Sequence, residues 1–319
     1  MSKILILGIL PPPIGGITIH LSRLLQVLRD KSICYDFFDY KKDSLLNGLK
    51  KIITCTTIHI NFCDVKWLFI ATLFFRILNK KVIITFHGKY SFSSVLEKLT
   101  LHLSSFNFVL NNFCYDHALT IVKADKLQII SAFIPPLENE FCLSNSIREK
   151  IDKFIQGRKN VACTNAHSYV QNENGYDLYG IDFLLNVFSE LPETCLIISD
   201  PSTMLKRFYY KNVQLIPDNI LFISEPHSFI EVIKKSDVLV RATTRDGDSL
   251  SIREALFYGI KVIASDCIDR PLECVIYRTG NKESFINALT ECQGIGIECK
   301  RVIKDSTEQI VQLYELMSK

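Results

Sequence analysis

Short apolar runs of strand length alternate along this chain with segments that have helical spacing. The clearest runs are residues 3–9 (KILILGI), 81–86 (KVIITF), 160–165 (NVACTN) and 195–200 (CLIISD). Between them, segments such as residues 64–79 place apolar side chains three and four positions apart, which is typical of a helix that packs on one face. Because a helix between parallel strands returns the chain to the starting edge of the sheet, this alternation predicts parallel sheets covered by helices.

The alternation stops once, in a segment of small polar residues and two consecutive prolines at residues 131–146. A chain of 319 residues is also too long for a typical single core. We therefore expect a first domain over residues 1–150 and a second over residues 151–302. The remaining strands are expected at residues 51–60, 117–122, 219–224, 237–243 and 261–266.

Cysteine spacing and hydropathy exclude several classes of protein. The eleven cysteines are irregularly spaced and include no C-x-x-C pair, which argues against a disulfide framework and against a zinc site. The apolar N-terminus lacks the length and the cleavage site of a secretory signal. The longest apolar run, residues 67–75, has nine residues, whereas a membrane-spanning helix needs about 20. These features predict a cytoplasmic protein.

Charge is distributed unevenly between the two halves. Residues 1–150 carry 18 Lys and Arg against 11 Asp and Glu, and residues 151–319 carry 19 against 23. A basic first half suits an anionic partner such as a membrane surface, although charges scattered over a solvated surface would give the same totals. Nucleic acid is not expected, because the basic half lacks a dense Lys/Arg cluster with interleaved aromatic residues.

The stretch RDGDSLSIREAL, residues 245–256, is the richest in polar chemistry. It follows the strand expected at residues 237–243 and leads into a helix, whose free N–H groups and dipole favour a phosphate. Two structural alternatives remain open. Ser251 and Glu254 have the spacing of a helix capping box, and Asp246 and Asp248 form a D-x-D triplet that could hold a divalent metal.

The order of residues around this stretch resembles a known family. Asp246 is followed after seven residues by Glu254 and Ala255, then by Gly259 and by VIASD at residues 262–266. This pattern resembles the nucleotide-sugar half of retaining glycosyltransferases with the GT-B fold, of the family 4-like type found in bacterial surface-polysaccharide enzymes. In the N-terminal half, the turn PPPIGGITIH from residue 11 and His87 after a central strand resemble the same family.

The resemblance implies a fold and a set of roles. The fold is α/β, with two doubly wound Rossmann-like domains that face each other across a cleft, and residues 303–319 form a helix that packs back on the first domain. Glu254 would bind ribose hydroxyls, Asp246 the hydroxyls of the donor sugar, and the backbone of residues 248–251 the diphosphate. The turn at residues 223–225 would contact the base. The catalytic residues expected are Asp246, Glu254 and His87, and the donor-binding residues are Gly15, Gly16, Asn165, Ser224, Arg245, Gly247, Asp248, Ser249, Leu250 and Ser251.

The chain departs from the family at the diphosphate site. The family places an Arg and a Lys early in the second domain, whereas the matching region here offers Asn165, His167 and Tyr179. Replacement cations are expected from Arg241, Arg245 and Arg253, of which Arg245 is favoured. Asp246 also stands where the family has a Glu, which is one methylene longer.

The activity that the resemblance implies is transfer of a hexose-like sugar with retention, without a metal or other cofactor. The donor would be a nucleoside-diphosphate sugar, and the acceptor a glycan or polyprenyl-linked glycan in lipopolysaccharide or capsule synthesis. Residues 64–79 combine Trp67, Phe74 and Phe75 with Lys66 and Arg76, which predicts peripheral contact with the inner face of the plasma membrane, unless these aromatic residues are core. A non-catalytic nucleotide-sugar-binding homologue and a GT-B epimerase remain as alternatives.

Overall fold

A computed structural model describes residues 3–136, 142–166, 169–171, 175, 177–212, 216–294 and 305–318. The chain divides into two compact units. Unit 1 comprises residues 1–135 and 304–319, and unit 2 comprises residues 136–303. The division, after Pro135, falls inside the Pro-Pro segment that the sequence marks as a connection. It lies before residue 150, where the sequence analysis placed the end of the first domain.

Unit 1 is built on a parallel sheet of six strands: β1 (Lys3–Gly8), β2 (Tyr35–Asp39), β3 (Cys55–Ile60), β4 (Lys81–Phe86), β5 (Phe106–Val109) and β6 (Leu127–Ile129). The spatial order is β2-β1-β3-β4-β5-β6. Five helices connect them: α1 (Gly16–Asp30), α2 (Leu45–Thr54), α3 (Val65–Ile77), α4 (Val95–Leu103) and α5 (Asn112–Leu119). The central strands are buried on both faces, as their unbroken apolar runs predict.

Unit 2 repeats this architecture with β7 (Asn160–Asn165), β8 (Thr194–Ser199), β9 (Ile220–Ile223), β10 (Val238–Arg241), β11 (Lys261–Ser265) and β12 (Val275–Tyr277). The strands are parallel in the order β12-β11-β10-β7-β8-β9. The helices are α6 (Asn145–Ile155), α7 (Ile181–Ser189), α8 (Met204–Asn212), α9 (Phe229–Ile233), α10 (Leu250–Phe257) and α11 (Lys282–Gly294). The first of these, α6, buries Ile147 and Ile151 in the core of unit 2.

The last helix, α12 (Thr307–Ser318), returns to unit 1. It buries Ile310 and Tyr314 in the apolar cluster that also contains Leu21 and Leu24 of α1. The Tyr314 hydroxyl lies 2.5 Å from Nδ1 of the buried His59 in β3. The C-terminal segment is therefore a structural part of the unit in which the chain begins.

The strand order in each sheet identifies one point where the winding reverses. In unit 2 the chain proceeds from β7 through β8 to β9 and then crosses to β10 on the other side of β7. In unit 1 the corresponding point lies between β1 and β3. Ligands of open parallel sheets bind outside the carboxyl ends of the strands at such points. In unit 2 these ends are Asn165 and Arg241.

Two sequence-based strand predictions are wrong. Residues 51–54 belong to α2, whose Ser44 side chain accepts a hydrogen bond from the Asn47 amide, and the strand begins only at Cys55. Residues 117–119 end α5, which starts at a cap where Asn111 accepts from the Cys114 amide. Both errors have one origin, because clustered β-branched and apolar residues resemble a strand even where a polar cap upstream starts a helix.

Candidate functional site

The start of α10 lies just beyond the carboxyl end of β10, where the sequence predicted it. Ser249 is the N-cap residue of α10, and its hydroxyl lies 3.0 Å from that of Ser251. Ser251 is thus the second residue inside the helix, so the capping-box alternative, in which Ser251 precedes the helix and Glu254 closes the box, is wrong. Glu254 is instead a buried carboxylate one turn into α10.

Asp246 is the centre of a buried ionic cluster. Its Oδ2 accepts hydrogen bonds from Arg241 Nε at 3.0 Å, Arg270 Nη1 at 2.9 Å and the Thr243 hydroxyl at 3.2 Å. Its Oδ1 accepts from the Gly247 amide at 3.1 Å and from Arg241 Nη2 at 3.4 Å. Five donors fill the acceptor sites of one carboxylate. A sugar hydroxyl that bound Asp246, as the resemblance implies, would share or displace one of these donors.

The charges in this cluster do not cancel. Burial alone would raise the pKa of the Asp246 carboxyl, but Arg241 and Arg270 outweigh it and hold the pKa well below its usual range. The carboxyl is therefore ionised at neutral pH, and two guanidinium groups face one carboxylate. The cluster carries one net positive charge next to the start of α10, which suits a bound diphosphate.

Arg241 spans the switch point of unit 2. Its Nη1 lies 3.2 Å from Asn165 Oδ1 at the end of β7, and its guanidinium lies 5.9 Å from the centre of the Tyr179 ring. This region is where the family pattern calls for the missing Arg and Lys, so a cation from β10 occupies it. Arg245, the favoured replacement, is exposed, whereas the guanidinium groups that pair with Asp246 are those of Arg241 and Arg270. The third candidate, Arg253, pairs with Asp248 at 2.9 Å.

Sequence reasoning missed Arg270. Its side chain is almost fully buried and also donates to the Thr243 hydroxyl at 3.1 Å and to the Ser265 backbone carbonyl at 3.1 Å. The available signal was its position shortly after β11, since residues that follow neighbouring parallel strands meet at one edge of the sheet.

Gly180 holds the Tyr179 turn against the end of β10. Its φ is +69°, and a Cβ at this position would lie 2.1 Å from the carbonyl oxygen of Ala242. The Thr244 amide also donates to the Leu178 carbonyl at 2.9 Å. A glycine is required here both for the left-handed backbone and for the close approach.

Ser224, which was expected near the base, follows β9. Its hydroxyl is buried and has no hydrogen-bond partner among the described residues. Close by in the chain, His227 is held in place by the Ser199 hydroxyl at 2.7 Å and by the Glu225 carbonyl at 2.7 Å. A buried hydroxyl without a partner costs free energy, so Ser224 is available to hydrogen-bond a ligand.

In unit 1, His87 follows β4 and contacts two polar residues that sequence reasoning left out of the site. Its Nε2 donates to Asn61 Oδ1 at 3.0 Å, and its ring meets that of His20 edge-on at 5.4 Å. Burial lowers the pKa of His20 to about 4 and that of His87 well below 6.5, so both rings are neutral. Asn61 Nδ2 and His20 Nε2 are buried and unpartnered within the described part of the chain, which provides one donor and one acceptor for a polar ligand.

Gly15 and Gly16 lie where α1 begins. A Cβ on either residue would have no heavy atom within 4 Å, and Gly15 has an extended φ of −164°. Neither packing nor backbone strain therefore requires glycine at these positions. The two glycines leave open space at the start of α1, where the helix dipole favours an anion, and the Gly15 amide itself donates to the Thr18 hydroxyl at 3.0 Å.

The D-x-D triplet is surrounded by cations. The carboxylate of Asp246 faces Arg241 and Arg270, and that of Asp248 faces Arg253. A divalent metal would have to compete with these guanidinium groups for the same oxygens. Over the described ranges, His, Cys, Asp and Glu side chains form no group of three or more that could hold a metal ion. His167 lies outside the described residues.

The aromatic residues of α3 divide between core and surface. Phe75 is buried, as the core alternative requires, whereas Trp67 and Phe74 are exposed.

No helix in the described ranges combines the length and the hydropathy that crossing a bilayer requires.

Comparison with known proteins identifies the fold. No model of a protein family matches the chain, and no curated protein matches its sequence. A sucrose-phosphate synthase from Thermosynechococcus elongatus has a similar structure, with 14% identity, 99% of each chain covered and a TM-score of 0.71. The Anabaena protein HepE in complex with UDP-glucose gives 14% identity over 100% of this chain and 98% of that chain, with a TM-score of 0.65.

Two further solved structures are similar to the chain. The lipopolysaccharide outer core galactosyltransferase WaaB gives 14% identity over 99% of this chain and 95% of that chain, with a TM-score of 0.61. A putative UDP-N-acetylglucosamine 2-epimerase from Listeria monocytogenes gives 13% identity over 100% and 90%, with a TM-score of 0.56. Together with the two parallel six-stranded sheets, these likenesses show that the chain has the two-domain, Rossmann-like GT-B fold.

Proposed function

We propose that the protein is a glycosyltransferase that moves a sugar from a nucleoside-diphosphate sugar to a glycan acceptor. The observation that carries this proposal is the cationic cluster of Arg241 and Arg270 around Asp246 at the switch point of unit 2, beside the start of α10. Solved structures of the same fold support it, because one contains UDP-glucose and another is described as a galactosyltransferase.

Each part of the donor has a matching group in unit 2. The diphosphate would meet the first amides of α10 and the net positive charge of the cluster. Glu254 would accept hydrogen bonds from two ribose hydroxyls, and the buried hydroxyl of Ser224 would hydrogen-bond the base. Arg241 and Arg270 would stabilise the negative charge that develops on the departing diphosphate, which is the task that the family assigns to its Arg and Lys.

We further propose that transfer proceeds with retention and without a metal ion or other cofactor. Fixed guanidinium groups supply positive charge at the leaving group, and they already face the carboxylates of the D-x-D triplet. The configuration of the product, followed by NMR at the anomeric carbon, tests retention. Unchanged turnover in EDTA is the expected result for metal independence.

The acceptor is proposed to be a polyprenyl-linked glycan of bacterial surface polysaccharide, at the inner face of the plasma membrane. Support comes from the basic first half of the chain and from the exposed Trp67 and Phe74 of α3. Flotation of the full chain with vesicles of phosphatidylglycerol and phosphatidylcholine tests membrane contact. Binding that weakens with salt and with decreasing phosphatidylglycerol is the expected result.

The donor site is tested first by thermal stabilisation with UDP, GDP, dTDP, ADP and CMP. A ligand at 100 times its Kd adds about 2.7 kcal/mol to the free energy of unfolding. One nucleoside diphosphate is expected to raise the Tm of the wild-type protein and of a Glu283→Gln control, which changes an exposed glutamate of α11. The Glu254→Gln variant is expected to lose most of the shift. If no nucleoside diphosphate shifts the Tm at millimolar concentration, the proposal is wrong.

A non-catalytic nucleotide-sugar-binding protein is the second candidate, because the Arg and Lys of the family are absent from the region around Asn165. It predicts the same thermal shifts but no sugar transfer and no hydrolysis of the donor. An epimerase, suggested by the fourth likeness, predicts interconversion of the donor sugar without an acceptor. Chromatography of the nucleotide products separates these outcomes.

A further inference from the structure

Unit 1 contains a cavity of about 680 Å³ that is distinct from the polar site at His87. It lies beside α2 and α3 near the carboxyl ends of β1 and β2, and its walls include Leu7, Phe38, Phe62, Trp67, Ile70 and Phe74. The volume falls within the roughly 300–1,000 Å³ that is usual for small-molecule sites. The cavity is therefore large enough to hold part of a ligand.

The chemistry of the walls selects an apolar ligand. Asp64 is the one charged residue among those that line the cavity, and its carboxylate accepts hydrogen bonds from the Lys66 and Trp67 amides at 3.0 and 3.1 Å. This carboxylate caps α3. Because the remaining walls are dominated by aliphatic and aromatic side chains, a sugar or a nucleotide would leave its polar groups unpaired here, whereas a hydrocarbon would not.

The cavity opens onto an exposed apolar face formed by α2 and α3. Leu45 and Trp67 line the cavity and are 82% and 65% exposed, and Ile70, which also lines it, is 51% exposed. Within α2, Gly48 is the residue that is fully buried, so the helix rests on the unit without burying its leucines. A contiguous exposed apolar face of this kind is typical of an interaction site.

Exposed lysines stand beside the segments that line the cavity. Lys41, Lys50 and Lys66 are exposed, whereas Lys42 and Lys51 pair with Asp39 and Asp43. Lys41 follows Tyr40 and Lys66 precedes Trp67, and both of these aromatic residues line the cavity. An amphiphile that places a hydrocarbon in the cavity would therefore have its polar end among positive charges. This complementarity favours an anionic lipid over an uncharged apolar peptide.

We propose that this cavity binds the hydrocarbon chain of a lipid whose phosphate headgroup contacts the surrounding lysines. The identification of that lipid as the polyprenyl-linked acceptor rests on the proposed function. Binding of a hydrocarbon chain in the cavity does not. The cavity would hold the end of the lipid next to the phosphate and leave the rest of a long chain in the bilayer.

Trp67 provides a direct measurement, because it is the single tryptophan of the chain and lines the cavity. The full chain is titrated with farnesyl monophosphate below its micelle concentration, in the absence of vesicles. A saturable blue shift of the Trp67 emission is expected. Geranyl monophosphate, which is five carbons shorter, is expected to bind at least about tenfold more weakly, since each buried CH₂ adds roughly fourfold. Absence of a saturable shift overturns the proposal.

A matched pair of variants separates the cavity from the exposed face as a whole. Ile70→Asn changes a residue that lines the cavity, and Ile77→Asn changes a more exposed isoleucine of α3 that does not line it. Ile70→Asn is expected to weaken farnesyl monophosphate binding by about tenfold, and Ile77→Asn by less than twofold. If both variants lose binding equally, farnesyl monophosphate binds along the exposed face and not in the cavity, and the proposal is wrong.

A second readout keeps this test independent of the donor site. Both variants are expected to keep the thermal shift with the nucleoside diphosphate, because α3 belongs to unit 1, whereas Glu254, Ser224 and the arginine cluster that are proposed to bind the nucleotide belong to unit 2. Loss of lipid binding with the nucleotide shift intact supports the cavity. A nucleotide shift without any isoprenoid binding leaves the proposed function standing and refutes the lipid site.

Discussion

Replacing Asp246 by Asn removes the carboxylate that pairs with both Arg241 and Arg270. The side chains of these three residues are 10%, 12% and 3% exposed, so the pairs are largely desolvated. Removal of one partner from a buried ion pair costs about 3–5 kcal/mol, because the remaining charges are left uncompensated. We expect Asp246→Asn to lower the free energy of unfolding by about 3 kcal/mol, which corresponds to a fall in Tm of roughly 6–12 °C.

The assay is urea denaturation followed by far-UV circular dichroism at neutral pH. Asp152→Asn is the matched control, because it breaks the more exposed ion pair with Lys235 in the same unit. Exposed pairs contribute about 0–1 kcal/mol, so the control is expected to stay within that range. A loss below about 1 kcal/mol in Asp246→Asn would refute the reasoning, since the carboxylate would then not be the counter-ion of the two guanidinium groups.

The same variant decides whether Asp246 also touches the donor sugar. Without the carboxylate, the cluster changes from one net positive charge to two, so a nucleoside diphosphate is expected to bind at least as tightly as to the wild type. If Asp246 accepts hydrogen bonds from the sugar, the nucleotide sugar loses affinity while the free diphosphate does not. If both gain affinity, Asp246 only positions the arginines, and the role implied by the family resemblance is excluded.

Three further predictions concern glycine and histidine. Gly16→Ala adds a Cβ in open space at the start of α1, so it should raise stability by about 0.4–1 kcal/mol; a fall in sugar transfer together with this gain would show that a ligand uses the space. Gly180→Ala places its Cβ 2.1 Å from the Ala242 carbonyl oxygen at a φ of +69°, and should lower the free energy of unfolding, measured by urea denaturation, by about 2 kcal/mol or more. Burial lowers the folded-state pKa of His20 to about 4 and of His59 to about 3, so the unfolded chain takes up protons first as the pH falls below about 6.5. Stability should therefore decrease from pH 6.5 towards pH 4, by up to about 1.4 kcal/mol per pH unit for each histidine; urea midpoints that do not change between pH 7.5 and 5.5 would contradict this.

The strands of unit 2 could be predicted from the sequence because buried parallel strands read as unbroken apolar runs. β7, β8, β10 and β11 begin and end within a few residues of the predicted ranges. α2 could not, since its leucines and Ile53 are exposed and only Ile52 of its apolar side chains packs against the core, which gives no core periodicity. Apolar periodicity predicts a helix when one of its faces is buried in the core. It does not predict a helix such as α2, most of whose apolar residues are exposed.

The candidate site also contains residues that the sequence could predict and residues that it could not. The position of the segment after β10 followed from its place behind a strand and before a helix, and the structure brings Asp246 and Asn165 together through Arg241. The contact between Arg270 and Asp246 joins residues 24 positions apart along the chain, so no local pattern announces it. His20 was noted as the last residue of the PPPIGGITIH motif but not assigned to the site, and Asn61 was missed, because their unpaired nitrogens become evident only once burial is known.

The return of α12 to unit 1 sets the order in which the two units can be completed during synthesis. Unit 2 is contiguous in sequence, so the ribosome releases all of it before the last residues of unit 1. Until residues 305–318 emerge, the Tyr314 partner of His59 and the apolar side chain of Ile310 are absent, and the faces of α1 and β1 that they cover remain open. The unit that is synthesised first is therefore the one that finishes folding last, against the usual N-terminal-first order of multidomain chains.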